Sequence, residues 1–217
     1  MIAVTALPLV FAIVFHEVAH GWVANMLGDP TARNMGRLTL NPLRHIDLFG
    51  TVIMPLLLIL LTDGRFVFGY AKPVPINPYN FKDPKKDMAL SSLAGPGVNM
   101  IMAVLFALVL RVVMPAIEGT IPKSAWDWFA VPVALMFGYG VIINVVLAVL
   151  NMIPVPPLDG SRIVYWLLPD RQAAAYYRLE RFGMLILLVL LGTGIIARLI
   201  TPIMRPILFL LLGENIF

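Results

Sequence analysis

Apolar residues run in long blocks along this chain, separated by short stretches rich in Pro, Gly and basic residues. Four blocks, at 2–27, 89–114, 131–151 and 182–200, are long enough to cross about 30 Å of hydrocarbon as helix, and 203–212 is marginal. A block at 48–62 is apolar but short, which suits a re-entrant or tilted element. The pattern predicts an all-α polytopic membrane protein of about five to six membrane helices with one short re-entrant segment. Short connections and even composition make 1–217 a single membrane-embedded domain.

The charges give an expected orientation. If 48–62 returns to the side it enters from, twelve of the sixteen Lys and Arg residues gather on one side, leaving Arg111, Lys123, Arg198 and Arg205 on the other. The positive-inside tendency puts the twelve in the cytoplasm and the N-terminus outside. Charged residues are 13% of the chain, about half the usual share in soluble domains, and the net charge of +4 is accounted for by these flanks. No nucleic-acid partner is expected; the lipid bilayer is. No basic residue precedes Arg33, so the first block lacks the basic start of a cleaved signal, and the chain is expected to be mature from Met1. The absence of Cys rules out thiolate ligands and leaves His, Asp and Glu for any metal.

The first block contains FAIVFHEVAHGWVANMLG at 11–28. Ionisable residues at membrane depth are costly, which makes them functional candidates. On a helix, His16 and His20 stack four residues apart on one face and can bind one zinc ion, with Glu17 beside it to take a proton from bound water. Catalytic zinc generally has three protein ligands, so a third must come from elsewhere. His45 is one candidate. Asp159, in NMIPVPPLDGSR, is the better one, because Pro and Gly break the preceding apolar helix there and irregular backbone at membrane depth lines cavities.

HEVAH in the first helix and NMIPVPPLDG at 151–160 together resemble the site-2 protease family of intramembrane zinc metallopeptidases, whose second motif has the form N-x-x-P-x-P-x-L-D-G. Asn151, Pro154, Pro156, Leu158, Asp159 and Gly160 fill its fixed positions, and SSLAGPGVN at 91–99 resembles a further Gly-Pro-x-x-Asn stretch, one residue shorter here. The resemblance covers about residues 1–168, the expected catalytic core. Residues 169–217 are expected to add an interfacial helix and membrane helices. It implies Zn2+ held by His16, His20 and Asp159, Glu17 as general base, and Asn151 near substrate. It also implies a compact form without a PDZ insertion, cutting membrane proteins within or near a transmembrane segment. Another membrane zinc hydrolase and a non-enzymatic metal-binding or transport protein are the competing classes.

A helical substrate hides its carbonyls in hydrogen bonds, and a protease can expose them by holding an unwound segment against a sheet edge. Residues 65–80, RFVFGYAKPVPINPYN, have a composition that suits either such an edge strand or a proline-rich connection. The family likeness favours the strand. A small β element is therefore expected here, with Phe68 and Tyr70 against substrate and Asn99 as a further site residue. Gly192 and Gly194 suit either a hinge or close packing. The expected location is the plasma membrane of a prokaryote, with the site opening towards the cytoplasm. A homo-oligomer is compatible with the sequence.

Overall fold

The computed structural model describes residues 2–64, 67–120 and 122–213. Arg65 and Phe66 of the expected edge strand lie outside the described residues. Helix α1 spans Ile2–Met26 and α2 spans Leu48–Thr62. Pro84–Glu118 forms α3 and Trp126–Asn151 forms α4. They are followed by α5 at Gly160–Leu167, α6 at Asp170–Tyr177, α7 at Gly183–Gly192 and α8 at Ile195–Leu212.

Three stretches of wider π-type turns lie inside these helices, at Leu48–Ile53, Val109–Val113 and Trp126–Ala130. Each is followed by a proline within two residues: Pro55, Pro115 and Pro132. Proline has no N–H and collides with the carbonyl one turn back, and the wider turn accommodates both defects without ending the helix.

Helices α1, α3 and α4 pack as a central bundle. Lipid tails are as apolar as leucine, so membrane helices associate through close packing and polar contacts rather than through hydrophobic burial. The contact faces follow that rule: Ala12, Ala24, Ala89, Ser91, Asn99, Ala103 and Asn144 are all buried. Helix α8 closes the other side of α3 and α4 through Ala103, Ala107, Val141, Val145, Met204 and Leu208.

Among the described residues four helices are long and apolar enough to cross a membrane: α1, α3, α4 and α8. The expected span at 182–200 is instead broken in two, and 203–212 belongs to the same helix as the second half. The cause is Gly194, whose left-handed backbone (φ 73°) ends one helix and starts the next, whereas Pro202 and Pro206 are absorbed inside α8. Helix α7 has ten residues, about 15 Å, and falls short of a span.

Helix α2 has no buried residue in its Met54–Thr62 half. Its fifteen residues cover about 22 Å. The N–H of Tyr70 donates to the carbonyl of Gly50 at 3.0 Å, so the chain returns beside its point of entry.

No strand is present among the described residues, which corrects the expected β element. Residues 67–77 form no regular element, and no second strand lies alongside. The N–H groups of Tyr70, Lys72 and Val74 go to three separate acceptors: the carbonyls of Gly50 and His45 and the carboxylate of Glu17. Pro73 and Pro75 have no N–H to give, so a regular ladder cannot form.

A candidate metal centre

The site is built where α1 faces α3. His16 and His20 are buried at 7% and 8% exposure, with their Nε2 atoms 3.0 Å apart. The segment after α4 brings in the third group. It turns tightly through 152–159 because Gly160 lies against the backbone of Met152 and Ile153, where a Cβ would collide. Gly183 packs on Pro156, and the Tyr176 hydroxyl donates to the Pro154 carbonyl at 2.9 Å. These contacts place Asp159 Oδ2 at 3.1 Å from His16 Nε2 and 3.3 Å from His20 Nε2.

The hydrogen bonding around this trio shows what it would hold. His16 Nδ1 bonds the Asn99 side-chain oxygen at 2.6 Å, and His20 Nδ1 bonds the Ser91 carbonyl at 2.8 Å. Both partners are acceptors, so each Nδ1 carries the proton and each Nε2 presents a lone pair. Asp159 Oδ2 is buried without a hydrogen-bond partner. Two lone pairs and a carboxylate oxygen thus face one point. A single proton could bridge one pair and would leave the third acceptor unmatched, whereas a cation satisfies all three. Donors at about 2.0–2.2 Å from a tetrahedral zinc would stand about 3.3–3.6 Å apart, and the three atoms here lie slightly closer together, at 3.0, 3.1 and 3.3 Å.

Helix α3 is the template for the histidines. The Ser91 hydroxyl donates to the His20 carbonyl at 2.9 Å. Asn99, one turn beyond Gly95, is fully buried, and its amide donates to the Ala12 carbonyl at 3.1 Å and to the Asn144 side-chain oxygen at 2.8 Å. Asn144 in turn donates to the Gly140 carbonyl at 2.8 Å. The structure therefore places Asn99 behind His16, with both amide hydrogens engaged within the protein. Asn99→Ala is expected to lower zinc affinity about 10- to 100-fold, the usual cost of losing a ligand's supporting hydrogen bond, with Asn99→Asp recovering part because it keeps the acceptor. Competition with a chelator measures this, and unchanged affinity would count against the orienting role.

Glu17 is half-buried, and its Oε2 accepts the Val74 N–H at 2.8 Å. Asn151 ends α4, with its amide donating to the Leu147 carbonyl at 3.0 Å. Phe68 packs on the cluster of Leu158, Leu187 and Ile196, next to Asp159 in sequence. The Tyr70 ring covers Gly50, which has no room for a Cβ. His45 is away from the trio: its Nε2 donates to the Thr39 carbonyl at 2.8 Å, and its own carbonyl accepts the Lys72 N–H. A cavity of about 550 Å³ lies between α3, α4 and α8, with apolar walls that include Leu93, Gly97, Met152 and Ile200. It uses a different face of α3 from Ser91, Gly95 and Asn99.

Sequence reasoning missed four contributors. Asn144 left a readable signal, as a lone amide inside an apolar helix. Ser91 meets the His20 ring through its carbonyl, and Val74 acts through its N–H, so neither of these two contacts is marked by residue type. Asp29 is fully buried and ties 77–80 to the end of α1, accepting from the Asn77 N–H and the Asn80 amide at 2.7 Å each and from Thr31. Burial opposes its ionisation, but these hydrogen bonds outweigh burial and hold its carboxyl below the usual carboxylate range.

The sequence matches Peptidase family M50 over residues 4–192. It is 36% identical over 199 residues to a Bacillus subtilis protein named "Putative zinc metalloprotease YwhC", covering 92% of this chain and 84% of that one. It is 29% identical over 187 residues to "Putative zinc metalloprotease Rip2" of Mycolicibacterium smegmatis, covering 84% of this chain and 64% of the relative. The match to "Putative zinc metalloprotease MJ0611" of Methanocaldococcus jannaschii is 30% over 105 residues, 47% of each chain. No solved structure matches.

Proposed function

The chain belongs to peptidase family M50 and is a zinc metalloprotease of the membrane, and from that premise we propose that it hydrolyses peptide bonds within or beside transmembrane segments of other membrane proteins. The observation that carries this reading is the convergence of Asp159, from the turn after α4, on His16 and His20, which share with Glu17 a helix apolar enough to cross a bilayer. His16 lies ten residues before Met26, the end of α1, or about 15 Å along the helix, which is near mid-membrane depth.

Zinc held by His16, His20 and Asp159 would supply Lewis acidity, acidifying a water molecule and polarising the scissile carbonyl. Glu17 serves as the base that takes the proton of the attacking water and returns it to the leaving amine. The Asn99 and Ser91 contacts keep both imidazoles in the tautomer that offers Nε2 to the metal.

The substrate is a protein with a transmembrane segment, locally unwound at the cut. Residues 67–72 form the surface that receives it. The N–H groups of Tyr70 and Lys72 point into the protein, so a substrate strand meets the opposite edge, at Gly69 and Ala71. The substrate contacts proposed here are Phe68 and Tyr70, on either side of Gly69, and Asn151 at the end of α4. Helix α2 dips into the membrane and returns, leaving the basic loops on the cytoplasmic side, towards which the site opens.

The test compares wild type with Glu17→Gln, purified in detergent, for bound zinc and for cleavage of single-span membrane substrates. Zinc in both is expected, with cleavage lower in the variant by at least the roughly 10²- to 10⁴-fold typical of general-base catalysis. Equal cleavage by the two would reject Glu17 as the base. Zinc-free but active wild type would reject the metalloprotease mechanism.

A further inference from the structure

The function proposed above leaves unexplained how the Glu17 carboxylate is held. It follows His16 directly on α1, yet its hydrogen bond comes from a segment 57 residues away: the Val74 N–H reaches Oε2 at 2.8 Å. Val74 sits between Pro73 and Pro75, neither of which has an N–H. The three residues therefore present a single donor on a backbone that two proline rings keep extended. The Val74 side chain is buried at 7% exposure and fills the space over Gly21, where a Cβ would lie 2.6 Å from a Val74 methyl.

Both flanks of this donor are fixed by buried charged side chains. On one side the Arg37 guanidinium, 7% exposed, donates to the carbonyls of Lys72 at 2.9 Å and Pro73 at 3.3 Å. The Lys72 N–H is taken by the His45 carbonyl at 2.9 Å. On the other side Asp29, with no exposed surface, accepts the Asn77 N–H at 2.7 Å. Burying an arginine and an aspartate around a connecting loop is costly. Both act on main-chain groups within three residues of Val74.

We propose that the Val74 main-chain N–H is the positioning group for Glu17, holding one carboxylate oxygen so that the other is aimed at the reacting water. The proposal rests on Glu17 being the general base. It makes the Pro-Val-Pro run at 73–75 part of the catalytic apparatus although no side chain there has catalytic chemistry. A bond that instead kept Glu17 out of action would have the opposite sign, because its removal would raise the rate.

The test removes the donor in two ways in the full-length, zinc-loaded protein. Val74→Pro deletes the N–H within an all-proline run. Incorporation of α-hydroxyisovaleric acid at position 74 replaces the amide by an ester and keeps the valine side chain. Val74→Thr is isosteric and keeps the N–H. Zinc affinity, KM and kcat are measured with a single-span substrate. The ester protein is expected to lose roughly 10- to 100-fold in kcat, as for a catalytic group displaced by about 1 Å. KM and zinc affinity should stay within about twofold of wild type. Val74→Pro should match it if it folds, and Val74→Thr should recover most of the rate. In a Glu17→Gln background the ester should cost nothing further, because its effect runs through Glu17. Unchanged or increased kcat in the ester protein overturns the proposal, as does an equal loss in the Glu17→Gln background or loss of zinc together with rate. Failure of the underlying reading looks different: Glu17→Gln would itself keep cleaving.

Discussion

Asp159→Ala should lose zinc and cleavage together while the helices stay folded. Apparent zinc affinities of four-ligand sites correspond to about 10–16 kcal/mol, so one ligand is worth roughly 3 kcal/mol, or about 100-fold in affinity. The segment that carries Asp159 is held by other means: Gly160 on the backbone of Met152 and Ile153, Gly183 on Pro156, and Tyr176 on the Pro154 carbonyl. Its shape should therefore survive. A second consequence follows from the unpartnered Oδ2, which faces two histidine lone pairs. Without metal a proton can bridge Asp159 to only one imidazole, and the acceptor left unmatched destabilises the fold. Stripped of zinc, Asp159→Ala should thus melt no lower than stripped wild type, whereas with zinc present wild type should melt higher. Melting in detergent with and without chelator checks both signs. Wild-type zinc affinity in Asp159→Ala would mean that the third ligand lies elsewhere.

How much of this centre was legible in the sequence depended on whether each contribution is carried by residue type. His16, Glu17 and His20 share one helix, so their spacing alone fixes their relative placement. Asp159 was legible because Pro and Gly announce the helix break before it. The support from α3 was only half legible. Asn99 stood out through the Gly-Pro-x-x-Asn stretch, but its position behind His16 depends on how two helices pack. Val74 contributes a backbone N–H, which every residue but proline has, and Ser91 meets the His20 ring through its carbonyl, although its hydroxyl also bonds the His20 main chain.

The fold shows the same division. Hydropathy marked the apolar blocks, because lipid exposure demands apolar surface at every turn. It could not see that the block at 182–200 is interrupted, since the break comes from the left-handed backbone of Gly194 and not from any polar residue. Residues 67–77 have strand-forming composition but form no regular element. A strand needs a neighbour, and their donors are drawn instead to Gly50, His45 and Glu17.

Gly95→Ala should damage the metal centre more than a methyl group ordinarily damages a helix. Alanine is preferred to glycine in a helix interior by about 1 kcal/mol, so propensity alone predicts a more stable α3. The site predicts the opposite. A Cβ at position 95 would lie 2.6 Å from His16 Cε1 and would collide with His20 Nε2. Neither ring can swing aside cheaply, because His16 is tied to Asn99 and His20 to Ser91 through the opposite nitrogen. Relief requires α1 and α3 to separate or both imidazoles to leave their hydrogen bonds, and overpacking of this kind typically costs about 1–3 kcal/mol. Zinc affinity should fall roughly 10- to 100-fold, the range seen when ligand support is lost. Cleavage should fall by about 100-fold, as expected when reacting groups are displaced by an ångström. Gly97→Ala is the matched control. Two residues along the same helix, its Cβ meets nothing within 4 Å, so zinc binding and cleavage should remain at wild-type levels. Gly95→Ala with wild-type zinc affinity and rate would show that α1 and α3 can part at little cost, and that the close approach at Gly95 does not set the ligand geometry.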